Sequence, residues 1–184
     1  MICRKTFIGA AALLTLSAAA CGAEEAPLVL TPNGLGNVGG GTAYSLEAVG
    51  DALPGYDVAS EEYFVEGDAY PMIVIREDGE TIAEVLPRYG DEGMVGGIVV
   101  KSPDITFEDR IALGTRYADM SVAPADCVAG MEGRSGLVLC RDGKMPHIGV
   151  VFGGEWAGPD GELPPDDVLD DYTVQEITWS AGVL

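Results

Sequence analysis

Three observations predict a β-dominated α+β domain: antiparallel, sandwich-like sheet with two short helices and one disulfide. Apolar residues alternate with polar ones, or form short unbroken runs, along most of the chain after residue 34. The 26 glycines and 11 prolines interrupt these runs at close intervals, leaving little room for long helices. Asp-Gly pairs stand between apolar runs, where a tight hairpin needs positive φ.

The chain opens with Arg4 and Lys5, followed by an uncharged run from residue 7 to residue 20 that ends in Ala18-Ala19-Ala20. That run is the length of a signal-peptide core and shorter than the ~20 residues of a spanning helix. Cys21 follows directly, and Ala18-Ala19-Ala20-Cys21 resembles a bacterial lipobox, with Ala18 where a leucine is usual. The expected organisation is a lipoprotein signal peptide over 1–20, a lipid-anchored tether over 21–33, and a single periplasmic domain over 34–184. Cysteine parity gives a second argument. Cys3 leaves with the leader, so acylation of Cys21 leaves Cys127 and Cys140 to pair. Plain secretion with an unpaired Cys21 is the alternative. Gly22 after the cysteine, in place of an aspartate, points to the outer membrane facing the periplasm.

Residues 45–53 are the first helix candidate. Ser45 can cap it, Glu47 lies in its first turn, Leu46, Val49 and Leu53 share a face, and Pro54-Gly55 ends it. Residues 56–58 and 63–65 read as extended. A hairpin follows, with strands over 72–76 and 81–86 around Glu77-Asp78-Gly79-Glu80. A loop over 88–93 leads to a strand over 94–101, whose run Gly97-Ile98-Val99-Val100 suits a central strand covered on both faces. The second half echoes the first. Gly114-Thr115-Arg116-Tyr117 parallels Gly41-Thr42-Ala43-Tyr44, Thr115 can cap a short helix, and a second hairpin spans 136–152 around Asp142-Gly143, which raises the prospect of two similar βαββ halves. Cys127 and Cys140 close a loop of about fourteen residues, and a bridge there contributes ~3 kcal/mol on the chain-entropy model. Pro165 before Asp166 and Asp167 suits one helical turn. The last strand spans 172–179, with a bulge expected near Gln175 because Val174 falls out of step with Ile177 and Trp179.

The formal charge of −20 argues against nucleic acid, whose phosphates it repels. His147 is the single histidine, so neither a histidine-based zinc site nor a His-dependent triad with a Gly-x-Ser-x-Gly elbow is encoded. No cofactor is implied. Acid pairs are too numerous to single out a glycosidase dyad. Asp160, Glu162, Asp166 and Asp167 share a loop that can supply oxygen ligands for calcium, without EF-hand spacing. The same loop carries Glu155 and Trp156 among glycines and prolines. Glu155, Trp156, Asp160, Asp166 and Asp167 therefore form a candidate partner-binding loop, unless the Trp156 ring folds back over the sheet end.

The C-terminal half carries a more specific pattern: Cys127 and Cys140 at their spacing, His147-Ile148, Phe152-x-Gly154-Glu155-Trp156-x-Gly158-Pro159-x-Gly161, Pro165-Asp166-Asp167-x-Leu169 and Ile177-x-Trp179. It resembles the sigma-E-regulated lipoproteins, a domain-of-unknown-function family of Gram-negative envelope proteins. Gly34-x-Gly36, Thr42 and Ile111-x-x-Gly114-Thr115 agree more loosely, and Ser180-Ala181-Gly182 departs from the basic end usual in relatives. The resemblance implies a lipidated, β-rich periplasmic domain linked to envelope stress, and no catalytic residues. The expectation is a non-enzymatic envelope lipoprotein, bound to the membrane through Cys21, that binds or supports another envelope component. An envelope-polymer hydrolase with paired carboxylates and a calcium-stiffened surface binding module are the alternatives.

Overall fold

The computed structural model describes residues 27–65, 67–108, 110–120, 126–141 and 143–182. The leader, Cys21 and the start of the tether lie outside these residues. Eleven strands and two helices occur in the order β1 (Val29–Thr31), β2 (Gly34–Leu35), α1 (Leu46–Ala52), β3 (Asp57–Val65), β4 (Asp68–Glu77), β5 (Glu80–Arg88), β6 (Asp91–Val100), β7 (Thr106–Phe107), β8 (Cys127–Ala129), β9 (Leu137–Arg141), β10 (Ile148–Gly153), α2 (Asp166–Leu169) and β11 (Thr173–Ser180). Eight strands form one sheet in the order β3-β4-β5-β6-β11-β10-β9-β8, antiparallel throughout. A small sheet, β2-β1-β7, has one antiparallel and one parallel pairing.

Local chemistry explains most boundaries. Ser45 caps α1 by accepting from the Ala48 N–H at 3.2 Å. Val49 and Leu53 bury beneath the helix, whereas Leu46, expected on the same face, is 45% exposed. Asp78 and Gly79 both take positive φ (51° and 84°) in a two-residue turn between β4 and β5, the conformation whose twist matches the strands. Four expectations are revised. The tether ends earlier than residue 33, because Leu30 of β1 is fully buried and pairs with Leu35 and Phe107. Residues 57–58 and 63–65 belong to one continuous strand, β3, which leaves Tyr56 just outside it. The loop expected at 88–93 shrinks to Tyr89 and Gly90, so that β6 begins at Asp91. Thr115 caps no helix; its hydroxyl accepts from the Ala112 N–H, and the 3-10 turn Tyr117–Asp119 has no side-chain cap.

The duplication is written into the registers. In the centre of the sheet β6 pairs β11 as Ile98↔Trp179, Val99↔Thr178 and Val100↔Ile177, which places a pseudo-two-fold axis between Val99 and Thr178. Outward from that axis the ladders repeat. Ala83, Glu84, Val85 and Leu86 of β5 face β6 as Ile148, Gly149, Val150 and Val151 of β10 face β11. Both ladders then slip by one residue at matching places, Leu86/Pro87 and Val151/Phe152. The slip leaves out Gln175 on one side, as expected, and Gly96 on the other. Before each repeat a threonine hydroxyl, Thr42 or Thr115, accepts from the N–H three residues back, and the N–H groups of Tyr44 and Tyr117 then donate to Gly93, early in β6, and to Tyr172, just before β11. The repeats differ in their hairpins: the first turns in two residues, the second over residues 142–147.

One apolar core lies on one face of the large sheet. It joins Ile75, Val85, Ile98, Phe152 and Ile177 to Val49 of α1 and to Leu30, Leu35 and Phe107 of the small sheet. Trp179, 3% exposed, ties the layers together by donating its indole N–H to the Pro32 carbonyl at 2.9 Å. The disulfide joins Cys127 and Cys140, which stand directly opposite each other in the β8–β9 ladder. It clamps an edge strand of only three residues.

Candidate functional site

The loop singled out from sequence folds onto the domain rather than out from it. Trp156 is half-buried against the core, and its ring lies so close to Gly158 that a Cβ there would sit 1.9 Å from Cζ2. Gly158 is thus the surface on which the indole packs, and the folded-back alternative is the one adopted. Asp160 accepts a 3.4 Å bond from the Glu132 N–H, so the loop leans on the 3-10 turn Glu132–Arg134. Asp166 and Asp167 start α2, and Glu155, Glu162 and both aspartates are exposed. Among the described residues, no three His, Cys, Asp or Glu side chains gather where they can hold a metal ion, so Asp160, Glu162, Asp166 and Asp167 do not converge as a calcium cradle. His147 sits in the turn just before β10. Its Nδ1 lies 2.8 Å from the Ser180 carbonyl and its own carbonyl accepts from the Ser180 N–H, which adds a rung to the β10–β11 ladder.

The more prominent feature is on the sheet face turned away from the core. An antiparallel sheet with one solvated face is expected to be polar there. Here Val74 (0% exposed), Val151 (4%) and Met72 (8%) are buried although none belongs to the core cluster. Between the two repeats this face forms a hollow of about 290 Å³, lined by Leu86, Gly97, Val99, Leu139, Val151, Thr178 and Ser180. Arg134, Arg141 and Glu176 edge it on the side of the second repeat. A shallower depression continues past Leu86, Gly97 and Ser180 toward Arg88 and Tyr89. The hollow crosses five strands, about 19 Å at the usual strand spacing.

The hollow straddles the pseudo-two-fold axis, so its lining comes in matched pairs: Leu86 with Val151, Gly97 with Glu176, and Val99 with Thr178. Arg141 stands where Val74 stands in the first repeat. Symmetric geometry therefore carries unsymmetric chemistry, apolar toward the first repeat and charged toward the second. Arg134 pairs with Glu176 at 3.1 Å, and Arg141 has no ion-pair partner among the described residues. A second hollow, between Leu28 and the β4–β5 turn, includes Glu77 and Asp104, both exposed.

Sequence reasoning missed the residues of the main hollow. The signal was present in Met72-Ile73-Val74-Ile75 and Gly149-Val150-Val151-Phe152, apolar runs that leave no polar face on either strand. The central run Gly97-Ile98-Val99-Val100 was expected to be covered on both faces. Its strand is central, but Val99 is only half-buried and opens into the hollow.

Three phenols complete the electrostatics. Burial raises the pKa of Tyr44, Tyr117 and Tyr172, and the carboxylates of Asp166, Asp170 and Asp126 raise Tyr117 further. The Tyr172 hydroxyl is buried without a hydrogen-bond partner among the described residues.

Fold and hollow together define a protein built from a duplicated antiparallel sheet with an amphipathic depression at the repeat junction. The chain belongs to a family described as proteins of unknown function, DUF1131, whose model matches residues 23–181. A relative from Escherichia coli (strain K12), the uncharacterized protein YfeY, is 30% identical over 152 residues, covering 82% of this chain and 78% of the relative. The crystal structure of YfeY superposes with a TM-score of 0.65 at 26% identity, over 82% of this chain and 98% of that one.

Proposed function

We propose that this chain is a non-enzymatic, lipid-anchored component of the Gram-negative envelope that binds another envelope molecule in the hollow between its repeats. The observation that carries the reading is the solvent-face hollow, whose apolar floor and few polar groups at one side are the usual make-up of a binding site. The anchor rests on the lipobox-like Ala18-Ala19-Ala20-Cys21 and on cysteine parity, with Cys127 and Cys140 joined to each other. Outer-membrane attachment facing the periplasm rests on Gly22, and a link to envelope stress on the resemblance to sigma-E-regulated lipoproteins. The hydrolase reading needs two carboxylates flanking one cleft. The hollow is lined by one, Glu176, and that one is engaged by Arg134.

Two measurements test the proposal. Intact mass of the protein purified from its own membrane is expected to equal the chain from Cys21 plus several acyl groups; an unlipidated mass removes the anchor. A photo-crosslinking residue at Leu86, installed in the full chain in cells, is expected to form one defined adduct, protein or lipid. Crosslinks no different from those made by the same probe at Glu80, exposed at the start of β5, remove the binding role.

A further inference from the structure

We infer that the hollow takes a fatty acid, its chain lying toward the first repeat and its carboxylate meeting Arg141. This rests on the reading of the hollow as a binding site, and it names the ligand. The argument starts from the broken symmetry. Only a partner that itself has two-fold symmetry gains from halves that are alike, and a ligand whose two ends differ gains from halves that differ. Here the halves diverge at the matched positions Gly97/Glu176 and Val99/Thr178, and Arg141 edges the hollow while its counterpart Val74 is buried and does not line it, so the first-repeat end of the depression is aliphatic and the other carries charge. A ligand that suits both ends has an aliphatic body and one polar head.

The sign of the head follows from the ion pairs. Arg134 and Glu176 neutralise each other, which leaves Arg141 as the uncompensated charge at the rim. Glu84, the acid nearest this face in the first repeat, is held by Lys101 at 3.0 Å and does not line the hollow. Arg141 at the mouth of an apolar slot is a local cation that favours a single anionic head over a cationic one, and it acts at contact distance against the longer-range repulsion of a chain of net charge −20. One cation matches one carboxylate. The hollow holds about 290 Å³ and opens past Leu86, Gly97 and Ser180 into a further 630 Å³, room for an aliphatic chain at full length.

The probe is laurate, below its micelle concentration, titrated calorimetrically into the full chain with its disulfide intact. One-to-one binding is expected, tightening about four-fold for each methylene added between octanoate and laurate. Arg141→Glu, at an exposed position, is expected to weaken laurate at least ten-fold. Val99→Thr copies the residue that the second repeat already carries at its matching position, so the fold tolerates it, and it is expected to weaken laurate about three- to five-fold. Dodecyltrimethylammonium is expected to bind at least ten-fold more weakly than laurate. Equal binding of the two amphiphiles, an affinity insensitive to chain length, or no effect of Arg141→Glu overturns the inference, as does an absence of laurate binding. If laurate fails while the Leu86 probe still captures one defined protein, the fatty-acid inference falls and the binding role stands. If both fail, both fall.

Discussion

Reducing the Cys127–Cys140 bridge is expected to cost the domain about 3 kcal/mol. The bridge closes a loop with a sequence separation of 13, and on the chain-entropy model a loop of that length restricts the unfolded chain by about this amount. The cost is large beside the roughly 5–15 kcal/mol by which domains are ordinarily stable, about a fifth to three-fifths of it. The geometry says where the loss is felt. β8 has three residues and a single neighbour, β9, so without the covalent clamp it depends on three rungs of ladder. Comparing the oxidised and reduced wild-type chain isolates the crosslink, because no side chain is deleted from either buried position. Urea unfolding, followed by Trp156 and Trp179 fluorescence, should show the midpoint fall by roughly 1–2 M at a slope of ~2 kcal/mol/M. Hydrogen exchange at Val128 and Ala129 should accelerate first, since an edge strand opens locally before the sheet does. The loop closed by the bridge carries Arg134, so laurate affinity should fall on reduction as well. A midpoint unchanged by reduction would refute the reasoning. A smaller shift accompanied by a lower slope would mean instead that β8 detaches within the folded state and that the lost stability is local.

Two further predictions follow from the bulges and the phenols. A Cβ at Gly96 would lie 2.3 Å from the Arg88 Cα, which is backbone, whereas one at Gly153 would meet only side-chain atoms, the Gln175 Cγ at 2.9 Å and, less tightly, the Leu137 Cδ2 at 3.1 Å. Gly96→Ala should therefore destabilise by about 2–3 kcal/mol and Gly153→Ala by under ~1 kcal/mol, with Gln175→Ala relieving the second and nothing equivalent relieving the first; chemical denaturation of the single and double variants checks this. The raised pKa values of Tyr44, Tyr117 and Tyr172 mean that the folded chain holds phenolic protons that the unfolded chain releases near pH 10. Their contribution is complete below that pH and is lost as pH rises through the folded values, so stability should fall above about pH 10 and tyrosinate absorbance should appear later in the native chain than in urea. Tyr172→Phe removes a buried hydroxyl without a partner, and should leave thermal stability unchanged or raised by up to ~1 kcal/mol while softening the alkaline loss. Marked destabilisation by that substitution would mean that the hydroxyl is bonded.

Much of the fold was legible in the chain because it depends on local chemistry. Ser45 caps a helix wherever an apolar periodicity follows it, Asp78-Gly79 makes the positive-φ turn that a hairpin requires, and Val174 falling out of step announces the bulge at Gln175. Cysteine parity led to the Cys127–Cys140 pair, and the paired Gly-Thr-x-Tyr segments led to the duplication, because each is a count or a repeat along the chain. Tertiary structure alone decided what those local choices add up to. The symmetry axis at Val99 and Thr178 is a matter of register, which depends on strands some eighty residues apart finding each other, a pairing ~80 residues long that no local signal encodes. Whether Trp156 reached outward or folded onto Gly158 depended on the core surface that other segments supply. The hollow itself has no motif. Leu86, Val99, Arg141, Val151 and Glu176 come from five different strands, and each is ordinary where it stands in sequence. They become a site because a duplicated sheet brings two copies of one surface side by side about an axis, and side chains that differ between the copies give that surface its polarity.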